Sequence, residues 1–202
     1  MKKLIPALLI AAALWFYMFS PWTQGWPNFW LVMSCSALIL TALAISSKAT
    51  LTIRRPLLQL AAGIVIAFAL WGIFWVGDKL SAMLFSFARP EVDAVYAMKQ
   101  GLPPWAIALL LLFLIGPAEE FFWRGYVQRE LQQRTSPNAG LAITAVIYAL
   151  VHVWSFNFML IMAALVAGLV WGLIYRIKPE ALPALIVSHA LWDTLVFILL
   201  PI

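Results

Sequence analysis

Residues 104–132, PWAIALLLLFLIGPAEEFFWRGYVQRELQ, decide the fold class of this chain. An apolar run leads without interruption into two adjacent glutamates, Glu119 and Glu120, and Arg124 follows one helical turn later. About 20 apolar residues cross a bilayer, so this stretch can span one. A charged side chain in hydrocarbon costs at least about 2.5–3.5 kcal/mol. The stretch is therefore predicted to be a transmembrane helix whose charged residues serve chemistry.

The whole chain is apolar enough to be a membrane protein. Of its 202 residues, 65% are hydrophobic and 10% are charged, whereas soluble domains are about half apolar and about a quarter charged. We therefore predict an all-α polytopic membrane helix bundle with about seven transmembrane helices, in a single domain over residues 1–202. The predicted spans are residues 4–19, 28–45, 56–76, 104–132, 138–153, 157–175 and 181–200.

Two segments outside the central spans need separate predictions. Residues 1–22 resemble a signal peptide, but Pro21 follows Ser20 and no pair of small residues precedes them, so we expect an uncleaved first span. Residues 78–101 mix apolar side chains with three basic and three acidic residues. This composition predicts an amphipathic helix along the membrane interface.

The distribution of basic residues predicts the orientation. Cytoplasmic loops of membrane proteins are enriched in Lys and Arg, and a cytoplasmic N-terminus with an external C-terminus leaves only Lys79, Arg89 and Lys99 outside. The net charge of +5 is thus explained by topology in a multi-pass protein of the cell membrane. Since no basic run carries interleaved aromatic residues, we expect no nucleic-acid partner. The basic residues placed toward the cytoplasm are Lys2, Lys3, Lys48, Arg54, Arg55, Arg124, Arg129, Arg134, Arg176 and Lys178.

Six ionisable residues lie inside the apolar stretches of the predicted spans, and their depths coincide. Glu119 precedes the turn near Ser136 by about 16 residues and His152 follows it by about as many, which places each about 24 Å along its helix at 1.5 Å per residue. The last span brings its polar residues to a similar level. We therefore expect one constructed site in the membrane. Its members are Glu119, Glu120, Arg124, His152, His189 and Asp193.

Helical spacing divides these residues into pairs. Residues four apart share a face of a helix, so Glu120 and Arg124 should form an ion pair while Glu119 points elsewhere and stays free. By the same spacing, Asp193 could orient the imidazole of His189. A carboxylate and an imidazole together can activate water, and the same groups can hold zinc. Since no HExxH motif is present, the spacing leaves metal-free and zinc-dependent hydrolysis both open.

These residues form three motifs in a characteristic order. Glu119-Glu120-x-x-x-Arg124, Tyr148-x-x-x-His152 and His189-x-x-x-Asp193 lie within residues 104–200. In this order on successive spans they resemble the CAAX protease and bacteriocin-processing family, which includes the type II CAAX prenyl endopeptidases. The resemblance implies an intramembrane endopeptidase, of glutamate or metalloprotease type, that cleaves a membrane-anchored protein or peptide.

The resemblance also implies roles for single residues. Glu119 and His152 would activate the attacking water, His189 and Asp193 would stabilise the oxyanion, and Glu120 with Arg124 would support them. The family usually carries Phe in the second motif where this chain has Tyr148, a mild change that adds a hydroxyl. The third motif ends in Asn or Asp across the family, and an ionised aspartate cannot donate to an oxyanion.

Two other function classes fit part of the sequence. A non-catalytic member of the family, linked to bacteriocin self-immunity, would not need Glu119. A proton-coupled carrier or a bis-histidine haem protein would explain why both histidines of the chain, His152 and His189, lie in the membrane, but it leaves the glutamate pair unexplained. The predicted orientation places His152 toward the outer face of the membrane. That position favours exported or C-terminally anchored substrates over cytoplasmic prenylated ones.

Overall fold

The computed structural model describes residues 3–23 and 28–202, which form helices and no strands. Six of the helices are long and apolar enough to cross a membrane, and α1 is a shorter apolar helix. The predicted all-α membrane bundle is thereby confirmed, with one additional short helix, α4. The described residues contain eight helices: α1 (Leu4–Phe19), α2 (Phe29–Ser46), α3 (Pro56–Leu84), α4 (Ala88–Ala97), α5 (Pro104–Arg134), α6 (Pro137–Ser155), α7 (Phe158–Ile177) and α8 (Pro179–Leu199).

Local sequence signals explain where several helices begin. Pro56, Pro104 and Pro137 each occupy the first turn of a helix, where the missing N–H would have no helical partner. Ser136 accepts a hydrogen bond from the N–H of Ala139 at 3.1 Å, and Asn157 caps α7 in the same way. Such caps satisfy amides that the helix leaves free. Since α5 ends at Arg134 and α6 begins at Pro137, the turn between them is short and the two helices are antiparallel neighbours.

The third helix is longer than predicted. Charged residues follow position 76, but α3 continues to Leu84 because the buried carboxylate of Asp78 is paired with Arg89 at 3.2 Å. Arg89 lies on α4, the one helix within the segment predicted to be amphipathic. The carboxylate of Glu91, also on α4, accepts the N–H of Met159 at 2.8 Å. The short helix is therefore held against the start of α7.

Helix α5 is irregular on both sides of the glutamate pair. Wider π-helical turns occupy Leu111–Ile115 and Trp123–Gln128, and the N–H of Gly116 reaches the carbonyl of Leu111 five residues earlier. Pro117 has no N–H to give, which is consistent with the disturbed ladder beside it. Widened turns of this kind are frequent at functional sites because they re-aim side chains.

Helix α8 is the most enclosed of the long helices, packed against α3 and α5. A Cβ atom on Gly116 would lie 2.6 Å from the Cα atom of Ala190, so only glycine permits this approach of α5 to α8. The contact places Glu119 and Glu120, one turn along α5, beside His189 on α8. The position of the site thus follows from the packing of two small residues.

Candidate active site

One cavity of about 440 Å³ is lined by four of the six ionisable residues that the sequence analysis singled out. Glu119, His152, His189 and Asp193 all line it, together with Tyr148. The expected convergence of three helices is therefore present in the structure. Most of the remaining wall is apolar, from helices α2, α3, α4 and α7 as well as α5 and α8. Such a chamber limits the water that reaches the polar groups.

Glu120 and Arg124 form a buried ion pair that does not line this cavity. The Nη1 atom of Arg124 lies 2.6 Å from Oε1 of Glu120, and both side chains are almost fully buried. The guanidinium also donates to the carbonyl of Gly168 at 3.3 Å and lies over the rings of Tyr148 and Trp171. A buried charge with these partners is compensated, so the pair can support other groups without itself taking part in chemistry.

His189 is held from three sides. Its Nδ1 atom lies 2.9 Å from Oε1 of Glu120, and its Nε2 atom lies 3.4 Å from Asp193. The ring stacks on Trp171, with centroids 4.1 Å apart and planes at 17°. The shorter carboxylate contact is thus with Glu120 on another helix, whereas the spacing pointed to Asp193 as the orienting partner. Glu120 fixes the ring and Nε2 is left facing the cavity.

Glu119 has a partner that its helix does not supply. The hydroxyl of Tyr148 donates to Oε2 of Glu119 at 3.0 Å, and both residues line the cavity. A hydrogen bond from a neutral donor to a carboxylate is stronger than one between neutral groups. The Tyr148 hydroxyl, a mild difference from the family pattern in sequence terms, therefore holds the carboxylate in place. The spacing indicated a free Glu119, and the structure instead shows a tethered one.

His152 uses both ring nitrogens within the protein. Its Nε2 atom accepts the indole N–H of Trp15 at 3.0 Å, and its Nδ1 atom lies 2.8 Å from the carbonyl of Tyr148. Because an indole nitrogen can only donate, Nε2 carries no hydrogen and Nδ1 donates to the carbonyl. This neutral tautomer directs no lone pair at water in the cavity. The water-activating role expected for His152 stays a prediction.

A metal ion does not fit the side chains as they are placed. Among residues 3–23 and 28–202, no three His, Cys, Asp or Glu side chains are arranged to hold one. Zinc needs three or four such donors. The lone pair of His152 already accepts from Trp15, and Nδ1 of His189 already contacts Glu120. The side chains as placed therefore do not supply the donor set that zinc needs.

Several supporting residues carried no signal in the sequence. Trp15 lies on α1, far from the motifs in the chain, and no spacing rule connects it to His152. Trp171 and Gly168 are three apart on α7 and thus share a face, but that spacing does not connect them to the three motifs. In the structure the carbonyl of Gly168 accepts a hydrogen bond from the guanidinium of Arg124.

Comparison with known proteins finds one family. Residues 101–195 match the family model described as type II CAAX prenyl endopeptidase Rce1-like. This region is similar to the Rce1-like domain. The match confirms the resemblance drawn from the three motifs and indicates a protease of the CAAX type. No curated protein and no solved structure matches the chain.

The Rce1-like domain and the site coincide only in part. All six ionisable site residues lie inside the matched region. Trp15, which holds His152, and the α3 and α4 residues that wall the cavity lie outside it. The N-terminal helices therefore complete a site whose ionisable groups belong to the domain.

Proposed function

We propose that this protein is an intramembrane endopeptidase of glutamate type, with Glu119 as the general base. One observation carries the proposal: Glu119 and His189 line one apolar cavity, and each is fixed by a partner on another helix. General acid–base catalysis needs groups held within reach of the reacting atoms. Residues 104–200 form the catalytic half in this proposal, within one transmembrane domain over residues 1–202.

Glu119 would take a proton from a water molecule in the cavity. The oxygen of that water then bonds to the carbonyl carbon of the scissile peptide, and the carbonyl oxygen gains negative charge. When the carbon–nitrogen bond breaks, Glu119 returns its proton to the leaving amine. The Tyr148 hydroxyl keeps the carboxylate oriented throughout. The atoms balance with one water consumed per bond cleaved.

His189 would stabilise the oxyanion through Nε2. With hydrogen on both nitrogens, Nδ1 donates to Glu120 and Nε2 donates into the cavity. Donors aimed at developing charge are often the largest contribution to catalysis in acyl transfer. Asp193, 3.4 Å from Nε2, accepts a hydrogen bond from that N–H between turnovers. In this role Asp193 need not donate to the oxyanion itself.

The substrate would be a membrane-associated protein or peptide, reached from the face where α4 and the α6–α7 turn lie. Contacts such as Arg129 with the carbonyl of Ser47 and Lys3 with that of Ser46 mark the opposite, basic end of the bundle. Basic ends favour the cytoplasm, so we propose an N-terminus inside and a C-terminus outside. This orientation favours substrates that are exported or anchored by their C-termini.

The haem alternative loses support from the same contacts. Axial ligation needs a free nitrogen on each imidazole, and His152 has none. No observation favours the carrier or the non-catalytic member. The cleavage experiment tests the non-catalytic member directly.

The decisive experiment is cleavage by purified protein in lipid vesicles, with single-span substrates whose products are identified by mass spectrometry. Glu119→Gln should lower the cleavage rate at least about 100-fold, because a positioned base contributes roughly that much or more. Glu130→Gln, on the same helix but paired with Arg134 away from the cavity, is the matched control and should cleave normally. Equal rates for both variants and the parent would contradict the base assignment.

Cleavage measured with and without a zinc chelator distinguishes a glutamate-type protease from a metalloprotease. Full cleavage after treatment with a zinc chelator is expected for the glutamate mechanism. Loss of cleavage that returns with added zinc would assign the enzyme to the metalloproteases. Absence of cleavage in every preparation that folds would favour the non-catalytic member.

A further inference from the structure

The segment after α8 is a peptide held through its main chain. Helix α8 ends at Leu199, and Leu200 is non-helical, with φ −137° and ψ 66°. The carbonyl of Leu200 accepts the indole N–H of Trp71 at 2.9 Å. The N–H of Ile202 donates to the Tyr96 hydroxyl at 2.9 Å. Three residues of non-helical backbone are thus recognised by side chains from other helices.

Arg89 completes this recognition and is itself held rigidly. Its Nη1 atom donates to the main-chain oxygen of Ile202 at 3.1 Å and to Asp78 at 3.2 Å. Its Nε and Nη2 atoms donate to one oxygen of Asp93 at 3.0 and 2.7 Å. Two carboxylates therefore orient the guanidinium before any peptide arrives. A preorganised donor loses less entropy on binding than a free side chain does.

This peptide lies at the mouth of the catalytic cavity. Tyr96, Asp78 and Ile202 line the same cavity as Glu119 and Asp193. Asp193 precedes the end of α8 by six residues, which is about 9 Å of helix, and three extended residues cover about 10 Å. An extended peptide that binds Arg89 and Tyr96 at one end can therefore reach the polar layer.

We propose that Arg89 and Tyr96 form a subsite for the main chain of an extended substrate peptide, which residues 200–202 occupy in this structure. The proposal rests on the proposed peptidase function and adds where its substrate binds. The contacts use amide and carbonyl groups that every peptide possesses, so the subsite would not depend on substrate sequence. Main-chain hydrogen bonds supply affinity in this way when extended peptides bind to sheet edges.

The apolar wall of the cavity makes such a subsite necessary. A peptide drawn out of a helix in the membrane exposes amide and carbonyl groups, each of which is costly to leave without a partner. Arg89 and Tyr96 supply one donor and one acceptor at the mouth. A substrate would therefore have to displace residues 200–202 to bind.

Four variants with opposite expected effects test this subsite. The probe is a fluorescent peptide that copies residues 198–202, and its affinity is measured for Glu119→Gln protein in vesicles, so that no cleavage interferes. Tyr96→Phe and Arg89→Gln are measured in the Ile202→Pro background, where residues 200–202 compete less with the probe. There each should weaken binding about 2- to 10-fold, since each loses a hydrogen bond of ordinary strength. Ile202→Pro removes the internal N–H that occupies Tyr96 and should tighten binding. Ile202→Ala keeps that N–H and therefore measures how much of the change in probe affinity is due to loss of the Ile202 side chain.

The opposite changes in probe affinity distinguish binding of a peptide main chain from packing that only stabilises the fold. If these contacts only stabilise the fold, Tyr96→Phe and Ile202→Pro would both lower the melting temperature and neither would tighten the probe, and that result would overturn the proposal. Tyr17→Phe, an exposed tyrosine on α1, is the control for loss of a hydroxyl. If the probe binds as expected but the active protein cleaves nothing, the subsite stands and the proposed peptidase function fails.

Discussion

The two halves of the chain contribute different kinds of residue to the same cavity. Helices α5–α8 bury Glu119, Glu120, Arg124 and both histidines, whereas the described part of α1–α4 buries a single charged side chain, Asp78. Each of these buried ionisable groups has a polar partner within the C-terminal half, and His152 in addition accepts from Trp15 of the N-terminal half. The N-terminal half supplies apolar wall and a few single hydrogen bonds, such as that from Trp15. The buried ionisable groups therefore hold one another in place mainly within α5–α8, whereas the apolar wall around them also needs helices α1–α4.

The family match covers the half of the chain that holds these buried ionisable groups. A charged group in a membrane requires several partners at fixed distances, and those partners are nearby in the fold of α5–α8. An apolar wall can be built from many side chains of similar volume. We therefore expect substitutions in the C-terminal half to have large effects on folding or rate, and those in the N-terminal half to have smaller ones.

The largest expected effect is on stability, from Arg124→Leu. Removal of one member of a buried ion pair leaves an uncompensated charge, which costs about 3–5 kcal/mol. Arg134→Leu breaks the exposed pair with Glu130 and should cost about 0.3–0.5 kcal/mol. Reversible unfolding in detergent measures both. Similar losses for the two variants would mean that the buried pair is not what holds α5 against its neighbours.

The next largest effect is on rate, from Tyr148→Phe. Loss of a hydrogen bond to a carboxylate removes about 1.5–3 kcal/mol, which corresponds to a decrease in kcat of roughly 10- to 100-fold. The melting temperature should change little by comparison, since the ring remains packed. Tyr17→Phe should leave kcat as it is. A fully active Tyr148→Phe protein would show that Glu119 needs no tether from α6.

The smallest effect tests the contribution of the N-terminal half directly. Trp15→Phe keeps an aromatic ring but removes the donor to His152, so we expect the free energy of unfolding to fall by about 0.5–1.5 kcal/mol. The rate should not rise, because no step of the proposed reaction uses His152. Trp22→Phe, an exposed tryptophan, is the control. If His152 were itself the base for water, the freed Nε2 atom would raise the rate, and the sign of the change therefore decides its role.

The membrane bundle and its motifs could be predicted because they depend on local patterns. Apolar length marks a span wherever it occurs, and α1 begins and ends at the predicted residues. Two residues four apart on one helix meet regardless of the rest of the fold, which is why Glu120 and Arg124 were paired from spacing alone. Helix α3 ends later than predicted. The charge of Asp78 indicated the end of the span, but its partner Arg89 lies on another helix, so the spacing along α3 could not show the pairing.

The sequence by itself determined the membrane fold, the three motifs and the common depth of their residues, since hydrophobic length and helical rise are properties of single segments. Tertiary structure alone decided that Glu120 holds His189, that Tyr148 tethers Glu119 and that Trp15 occupies His152. These contacts join different helices, so they depend on how each helix is rotated against the next. That rotation is set by packing at places such as Gly116 against Ala190, which no periodic pattern along one segment can encode.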